Sequence, residues 1–310
     1  MTKTAVLLNP QVVIQPGDYH DMYSSSAVVR DLFDEASEAV GFDLPKAFLS
    51  DDPERINSGP VVRPASLVLA TAIHRMTSHG RPEPDYFAGL SLGEVVAGHL
   101  SGHMSFADAV RMTHLMPRIE DEVRAGAEYG VAFYYGVDVA RLRDRMAELV
   151  DRGEELSPCA YTADDQMIVT GTAAALRELN LKAVSCGGLG VPIRYGPPAH
   201  SPLPLLREVQ RRFRDEWHYL DPARDPRVPV LANTTSELLT TAADMTDAYV
   251  RQYVTTVHWS RGLYRLHDLG VRRVRIIGPG HFVMKSLRST GVDFEVETCL
   301  TTDDLARVLS

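Results

Sequence analysis

Cysteine is scarce in this chain: three residues in 310, Cys159, Cys186 and Cys299, far apart and without a C-x-x-C spacing. That excludes a disulfide-built scaffold and a cysteine zinc site, and fits free thiols in a reducing cytoplasm. Long apolar runs are also missing. None approaches the roughly 20 residues of a membrane span. The opening Met1-Thr2-Lys3-Thr4-Ala5-Val6-Leu7-Leu8 is too short an apolar stretch for a signal peptide and reads as a first strand. Positive charge is in deficit, 32 Lys and Arg against 41 Asp and Glu, for a net charge of -9. General nucleic-acid binding needs the opposite balance. No glycine-rich loop closes on a lysine, so nucleotide phosphates have no obvious cradle. No repeat and no sustained heptad occurs, and the chain is expected to be monomeric. With 45% hydrophobic and 24% charged residues, it has the composition of a soluble globular protein, long enough for one large domain carrying a smaller insert.

Against these absences one pentapeptide stands out, Gly89-Leu90-Ser91-Leu92-Gly93. It follows the apolar run Tyr86-Phe87-Ala88 and leads into a helix-like stretch, Glu94 to Leu100. Strand, sharp turn and helix is the context in which G-x-S-x-G becomes a nucleophile elbow. Glycine is required at both ends because a strained turn brings neighbouring backbone too close for a Cβ. Ser91 is therefore the candidate nucleophile, with the N–H of the following residue free to hold an oxyanion. The alternative is an ordinary glycine-rich turn.

The rest of the chain alternates strands and helices, which points to an α/β fold with a mainly parallel sheet. Strands are expected at Thr4–Leu8, Tyr86–Leu90, Val228–Ala232 and Val271–Ile277. Helices are expected at Val28–Val40, from Pro64 onward, at Phe106–Val123 behind a Ser105 cap, and at Asp247–Val257, with a closing helix after Val271–Ile277. From Gly130 the order becomes β-α-β-β-α-β, the split βαβ or ferredoxin-like module. The expected organisation is a large α/β-hydrolase-like domain, residues 1–126 and 199–310, with a small inserted ferredoxin-like domain at 127–198.

A serine nucleophile needs a base within hydrogen-bond reach. Eleven histidines compete for the role. His200 stands out in Tyr195-Gly196-Pro197-Pro198-Ala199-His200-Ser201-Pro202, where prolines on both sides pin the backbone at the boundary of the two domains. Five of the others, His74, His79, His103, His114 and His267, fall in helices or their flanking turns, where packing or surface roles suit them better.

Taken together, these residues resemble the malonyl-CoA:acyl carrier protein transacylases and related polyketide acyltransferases, nearly end to end. Gly89-Leu90-Ser91-Leu92-Gly93-Glu94 matches that family's G-H-S-L-G-E motif with leucine in place of histidine, and Phe106-Ala107-Asp108-Ala109-Val110 matches the segment after it. Ala199-His200-Ser201-Pro202-Leu203 matches the catalytic-histidine segment, and Asn233 follows Val228-Pro229-Val230-Leu231 as the family's asparagine does. Arg251-Gln252-Tyr253, Val257-His258-Trp259 and Gly278-Pro279-Gly280 match further blocks. The resemblance implies Ser91 as nucleophile, His200 as base, backbone around Asn233 or Gln252 orienting the histidine, and the N–H groups of Gln11 and Leu92 as oxyanion hole. It implies an acyl group carried on the phosphopantetheine of CoA or an acyl carrier protein, with no tightly bound cofactor and no metal.

Two departures bear on the acyl group. Malonyl-selective members carry an arginine in the helix after the elbow, whose fork binds the malonyl carboxylate. Here that position holds Met116, and Arg118 should face away, about 200° around an ideal helix. Where malonyl enzymes often have phenylalanine before the histidine, this chain has Ala199. The family's first motif, P-G-Q-G-S-Q, is also altered, to Asn9-Pro10-Gln11-Val12-Val13. The expectation is a trans-acting acyltransferase for a non-malonyl group, such as an aminoacyl or peptidyl starter, similar to members that serve macrolactam polyketide assembly. A proofreading thioester hydrolase, an ordinary malonyl transacylase and a non-catalytic docking subunit are the alternatives. Carrier proteins are acidic, so a basic patch should receive them. The candidates are Arg207, Arg211 and Arg212, or the Arg272-Arg273-Val274-Arg275 run with Lys285 and Arg288.

Overall fold

The computed structural model describes residues 2–124, 126, 128–217 and 224–309. Among them eleven strands run in chain order: β1 Lys3–Leu8, β2 Tyr86–Gly89, β3 Tyr129–Tyr135, β4 Leu156–Ala163, β5 Gln166–Thr172, β6 Leu189–Pro192, β7 Val230–Leu231, β8 Leu238–Leu239, β9 Val257–His258, β10 Val271–Ile277 and β11 Glu295–Cys299. They form two sheets. The larger has the order β11-β10-β1-β2-β7-β8 and is parallel except for β8.

The central strands of this sheet are covered on both faces, which is why they read as apolar runs without alternation. In β1, Val6 and Leu8 pack into one core with Val29, Phe33, Val62 and Val95 from the helices on that side. Ala5 and Leu7 turn to the other face, against Leu263, Val274 and Val283. The carboxyl ends of β1 and β2 lie side by side, Leu8 opposite Gly89. The chain leaves β1 for β2 on one flank, while β10 fills the other. A crevice outside the carboxyl ends at such a switch point is where open α/β sheets bind ligands.

The second sheet has the order β6-β3-β5-β4-β9. Its first four strands are mutually antiparallel and carry the helices Val139–Asp151 and Ala173–Ala183 on one face, around Tyr134, Met167, Leu142 and Leu179. That is the ferredoxin-like order expected from the β-α-β-β-α-β run. The short β9 joins it in parallel from the other part of the chain. The expected division at residues 127–198 remains a proposal, and Ala127 lies outside the described residues.

Several elements differ from the sequence reading. The helix expected from Pro64 spans Gly59–Ser78, so Pro60 sits in its first turn and Pro64 is internal. A proline there deprives the carbonyl four residues back of its partner. That carbonyl belongs to Pro60, and His114 Nδ1 lies 3.3 Å from it. The helix expected at Asp247–Val257 runs instead from Ala242 to Arg251, because Thr241 caps it by accepting from Asp244 N–H. The strand expected at Val228–Ala232 shrinks to β7, and β11 is a strand beyond those expected, while a closing helix is present at Thr302–Leu309 as expected.

Candidate active site

The helix Leu92–Leu100 starts directly after Ser91, whose backbone lies at φ 56°, ψ -115°. Positive φ is costly for a residue with a side chain, and such strain persists only where the surroundings impose it. Here both glycines impose it. A Cβ on Gly89 would fall 1.9 Å from the Gly93 carbonyl carbon, and one on Gly93 would fall 2.5 Å from Leu8 O. The elbow is thus wedged against the end of β1, and Ser91 is turned out of the sheet.

His200 also has positive φ, 54°. Its Nε2 lies 2.7 Å from Ser91 Oγ, and its Nδ1 lies 2.7 Å from the Gln252 carbonyl. A carbonyl only accepts, so Nδ1 carries the proton and Nε2 is left as acceptor facing the serine hydroxyl. Burial pushes His200 down to about 4, the Gln252 carbonyl opposing and the Arg63 charge adding to the drop. The imidazole is therefore neutral at pH 7 and able to take a proton. Between the two residues suggested to orient the histidine, it is the Gln252 backbone that makes the contact. Asn233 bonds elsewhere, its N–H donating to Glu94 Oε1 at 2.8 Å and its carbonyl accepting from His258 N–H.

Ser91 and His200 open on a cavity of about 410 Å³. Met116 and Ala199 line it, as do Gln11 and Leu92. Leu92 is the first residue of its helix, so its N–H has no partner within the helix. The loop holding Gln11 is fastened by Asn9, whose Oδ1 accepts from Val283 N–H at 2.9 Å. Arg118 is outside the cavity, its side chain 54% exposed and paired with Glu216 and Glu122.

Six of the basic candidates are already engaged with their own surface. Arg211 pairs with Glu208 and Asp215, and Arg212 with Glu122 and Glu216. Arg207 donates to the Pro202 carbonyl. In the second run, Arg272 donates to the His267 carbonyl, Arg273 pairs with Glu295, and Arg275 donates to the Thr77 carbonyl.

Among the residues of the cavity wall that the sequence did not single out, Arg63 is the one that carries a buried positive charge. It is 5% exposed, donates through both terminal nitrogens to Glu120, and donates through Nε to Gln11 Oε1 at 2.8 Å. A signal was present. Arg63 occupies the same helical stripe as Leu67 and Ala70, and a charge on an apolar stripe has to find a partner.

No protein-family profile matches the chain. Among curated proteins, the malonyl CoA-acyl carrier protein transacylase of Escherichia coli O157:H7 is 27% identical over 282 residues, 90% of each chain. That of Bacillus subtilis (strain 168) is 25% identical, covering 90% of this chain and 88% of its own. Among solved structures, a malonyl-transacylase in complex with its type II PKS acyl-carrier protein superposes with a TM-score of 0.91 at 23% identity, over 99% of both chains. The malonyl CoA-acyl carrier protein transacylase of Coxiella burnetii gives 0.90 at 22% identity, over 99% of this chain and 97% of its own. The two-sheet fold is that of these acyltransferases. Over nearly its whole length, then, the chain is similar in sequence to malonyl CoA-acyl carrier protein transacylases and has their fold.

Proposed function

We propose that the chain is an acyltransferase that moves an acyl group onto or between acyl carrier proteins through an ester on Ser91, and that this group lacks the malonyl carboxylate. The observation that carries the reading is the 2.7 Å contact between Ser91 Oγ and a neutral His200 Nε2 at a cavity lined by Met116 and Ala199. The relatives' names, all transacylases acting with acyl carrier protein, support the reaction class.

The chemistry has two balanced halves. Ser91 Oγ attacks the thioester carbonyl and its proton passes to His200 Nε2. The tetrahedral oxyanion faces the N–H groups of Leu92 and Gln11. The C–S bond breaks, the leaving thiolate takes the proton from His200, and acyl-Ser91 remains. The incoming pantetheine thiol then gives its proton to His200 and attacks the ester carbonyl. The C–O bond breaks and the proton returns to Ser91. The Gln252 carbonyl holds the ring in one tautomer throughout and stabilises the imidazolium that forms twice.

The acyl preference follows from the wall. Met116 is 7% exposed and offers a carboxylate nothing, and an unpaired buried carboxylate costs several kcal/mol. Ala199 leaves open the space an aromatic ring would fill. One observation favours the second reading, an ordinary malonyl transacylase: a cation, Arg63, does line the cavity. Intact-protein mass spectrometry after mixing with pantetheine thioesters of malonyl, butyryl, β-aminopropionyl and a dipeptide separates the two. Esters on Ser91 from the uncharged or amino-bearing donors, with malonyl slow, support the proposal. Malonyl acylating fastest refutes it.

A further inference from the structure

Arg63 brings to the cavity a cation that Met116 lacks, but it does not stand free. Its Nη1 donates to Glu120 Oε1 at 2.8 Å and its Nη2 to Oε2 at 2.5 Å, while Nε holds Gln11 Oε1. Three of the guanidinium's five N–H groups are thereby taken, including the bidentate fork that matches a carboxylate. The pair is withdrawn from solvent, with side-chain exposures of 6% and 13%. Glu120 lies one helical turn beyond Met116 in the helix Phe106–Arg124, and both face the cavity.

We infer that Glu120 sets the charge selectivity of the acyl cavity, holding Arg63 as its own counter-ion and so denying that cation to a carboxylate on the acyl group. The inference rests on the reading that Ser91 is acylated from this cavity. A carboxylate-bearing acyl group has two options there. It can share the fork with Glu120, placing two like charges together in a poorly solvated site. Otherwise it must push Glu120 off Arg63 and leave it unpaired. Both are costly. An uncharged acyl group meets a pair whose charges cancel. Two neutral donors on residues of the same wall, Gln252 Nε2 and Tyr253 OH, are buried without a partner among the described residues.

The test is a competition between malonyl- and butyryl-pantetheine at equal concentration, read as the ratio of the two esters on Ser91 by intact mass. Both donors compete for the same molecules, so the ratio does not depend on how much of a preparation is folded. The wild-type ratio should be low. Glu120→Gln leaves Arg63 with a net charge to offer and should raise the ratio about tenfold or more. Arg63→Gln leaves the Glu120 carboxylate free and should instead raise β-aminopropionyl over butyryl by about tenfold. An unchanged malonyl ratio in Glu120→Gln overturns the inference while leaving acyl transfer of a non-malonyl group intact. A wild-type ratio near one overturns both. If Glu120→Gln forms no ester with either donor, Arg63→Gln decides, and an unchanged β-aminopropionyl ratio overturns the inference.

Discussion

The proposed role of His200 as the base can be tested through its protonation. Burial pushes His200 down to about 4 from an ordinary value of 6.5, because an imidazolium there would lose its hydration and lie close to Arg63. The perturbation is pH alone. At pH 5.5 a histidine titrating at 4 is about 97% neutral, and one titrating at 6.5 is about 9% neutral, so the two cases differ about tenfold in available base. The assay is the initial rate of Ser91 acylation by butyryl-pantetheine after a pH jump from 7.5, quenched and read by intact mass. The jump matters because the same burial lowers acid stability. His74 and His99 are likewise pushed down to about 4 by burial, so the unfolded chain binds more protons than the folded one between about 4 and 6.5. Stability is therefore full above 6.5 and is lost as pH falls through that window. The rate should stay flat from pH 8 to about 5 and fall to half near 4. Half-maximal acylation near pH 6.5, with the fold intact, would refute the account of a desolvated neutral base.

Three further outcomes follow. Burial raises Glu94 to about 7, so its contribution is present below 4.5 and lost as pH rises through 7. Glu94→Gln removes that loss, and the wild type should fall behind it by on the order of 2 kcal/mol between pH 5 and 8 in urea melts. A pH-independent difference would contradict this. Gly93→Ala drives a Cβ against Leu8 O, which also accepts from Leu90 N–H and cannot yield freely. It should cost about 3 kcal/mol and abolish acylation, whereas wild-type stability would show that the elbow can relax. Charge reversal at Arg211 and Arg212 is proposed to raise KM for an acyl carrier protein while leaving acylation by small thioesters alone. Their pairing with Glu208, Asp215, Glu122 and Glu216 makes the effect modest, and an unchanged KM removes them as a docking site.

The elements that could be read from sequence were those where local signals and burial agree. β10 matches its expected bounds, and the ferredoxin-like order follows from a run of strands and helices with clear periodicity. The boundaries that moved depend on contacts distant in sequence. Pro64 sits inside a helix because His114, from another helix, approaches the carbonyl that proline leaves without a partner. β7 is short and β11 was missed because pairing with neighbours, more than composition, defines an edge. At the site, the pentapeptide announces Ser91, and the proline-flanked loop singles out His200. The Gln252 carbonyl and the Arg63–Glu120 pair could not be seen so directly. The first is a backbone atom that any residue type could supply. The second joins positions 57 apart, whose meeting is set only by how two helices pack.

The central claim is that Ser91 carries an acyl group on its way to a carrier protein. The most direct measurement is a chase of the isolated butyryl-Ser91 ester, split between buffer and buffer with a phosphopantetheinylated acyl carrier protein, with both proteins followed by mass. The ester should persist in buffer, the butyryl mass should move to the carrier when one is present, and Ser91→Ala should never acquire it. Loss of the ester at the same rate in both, with no gain on the carrier, would contradict it and make water the acceptor.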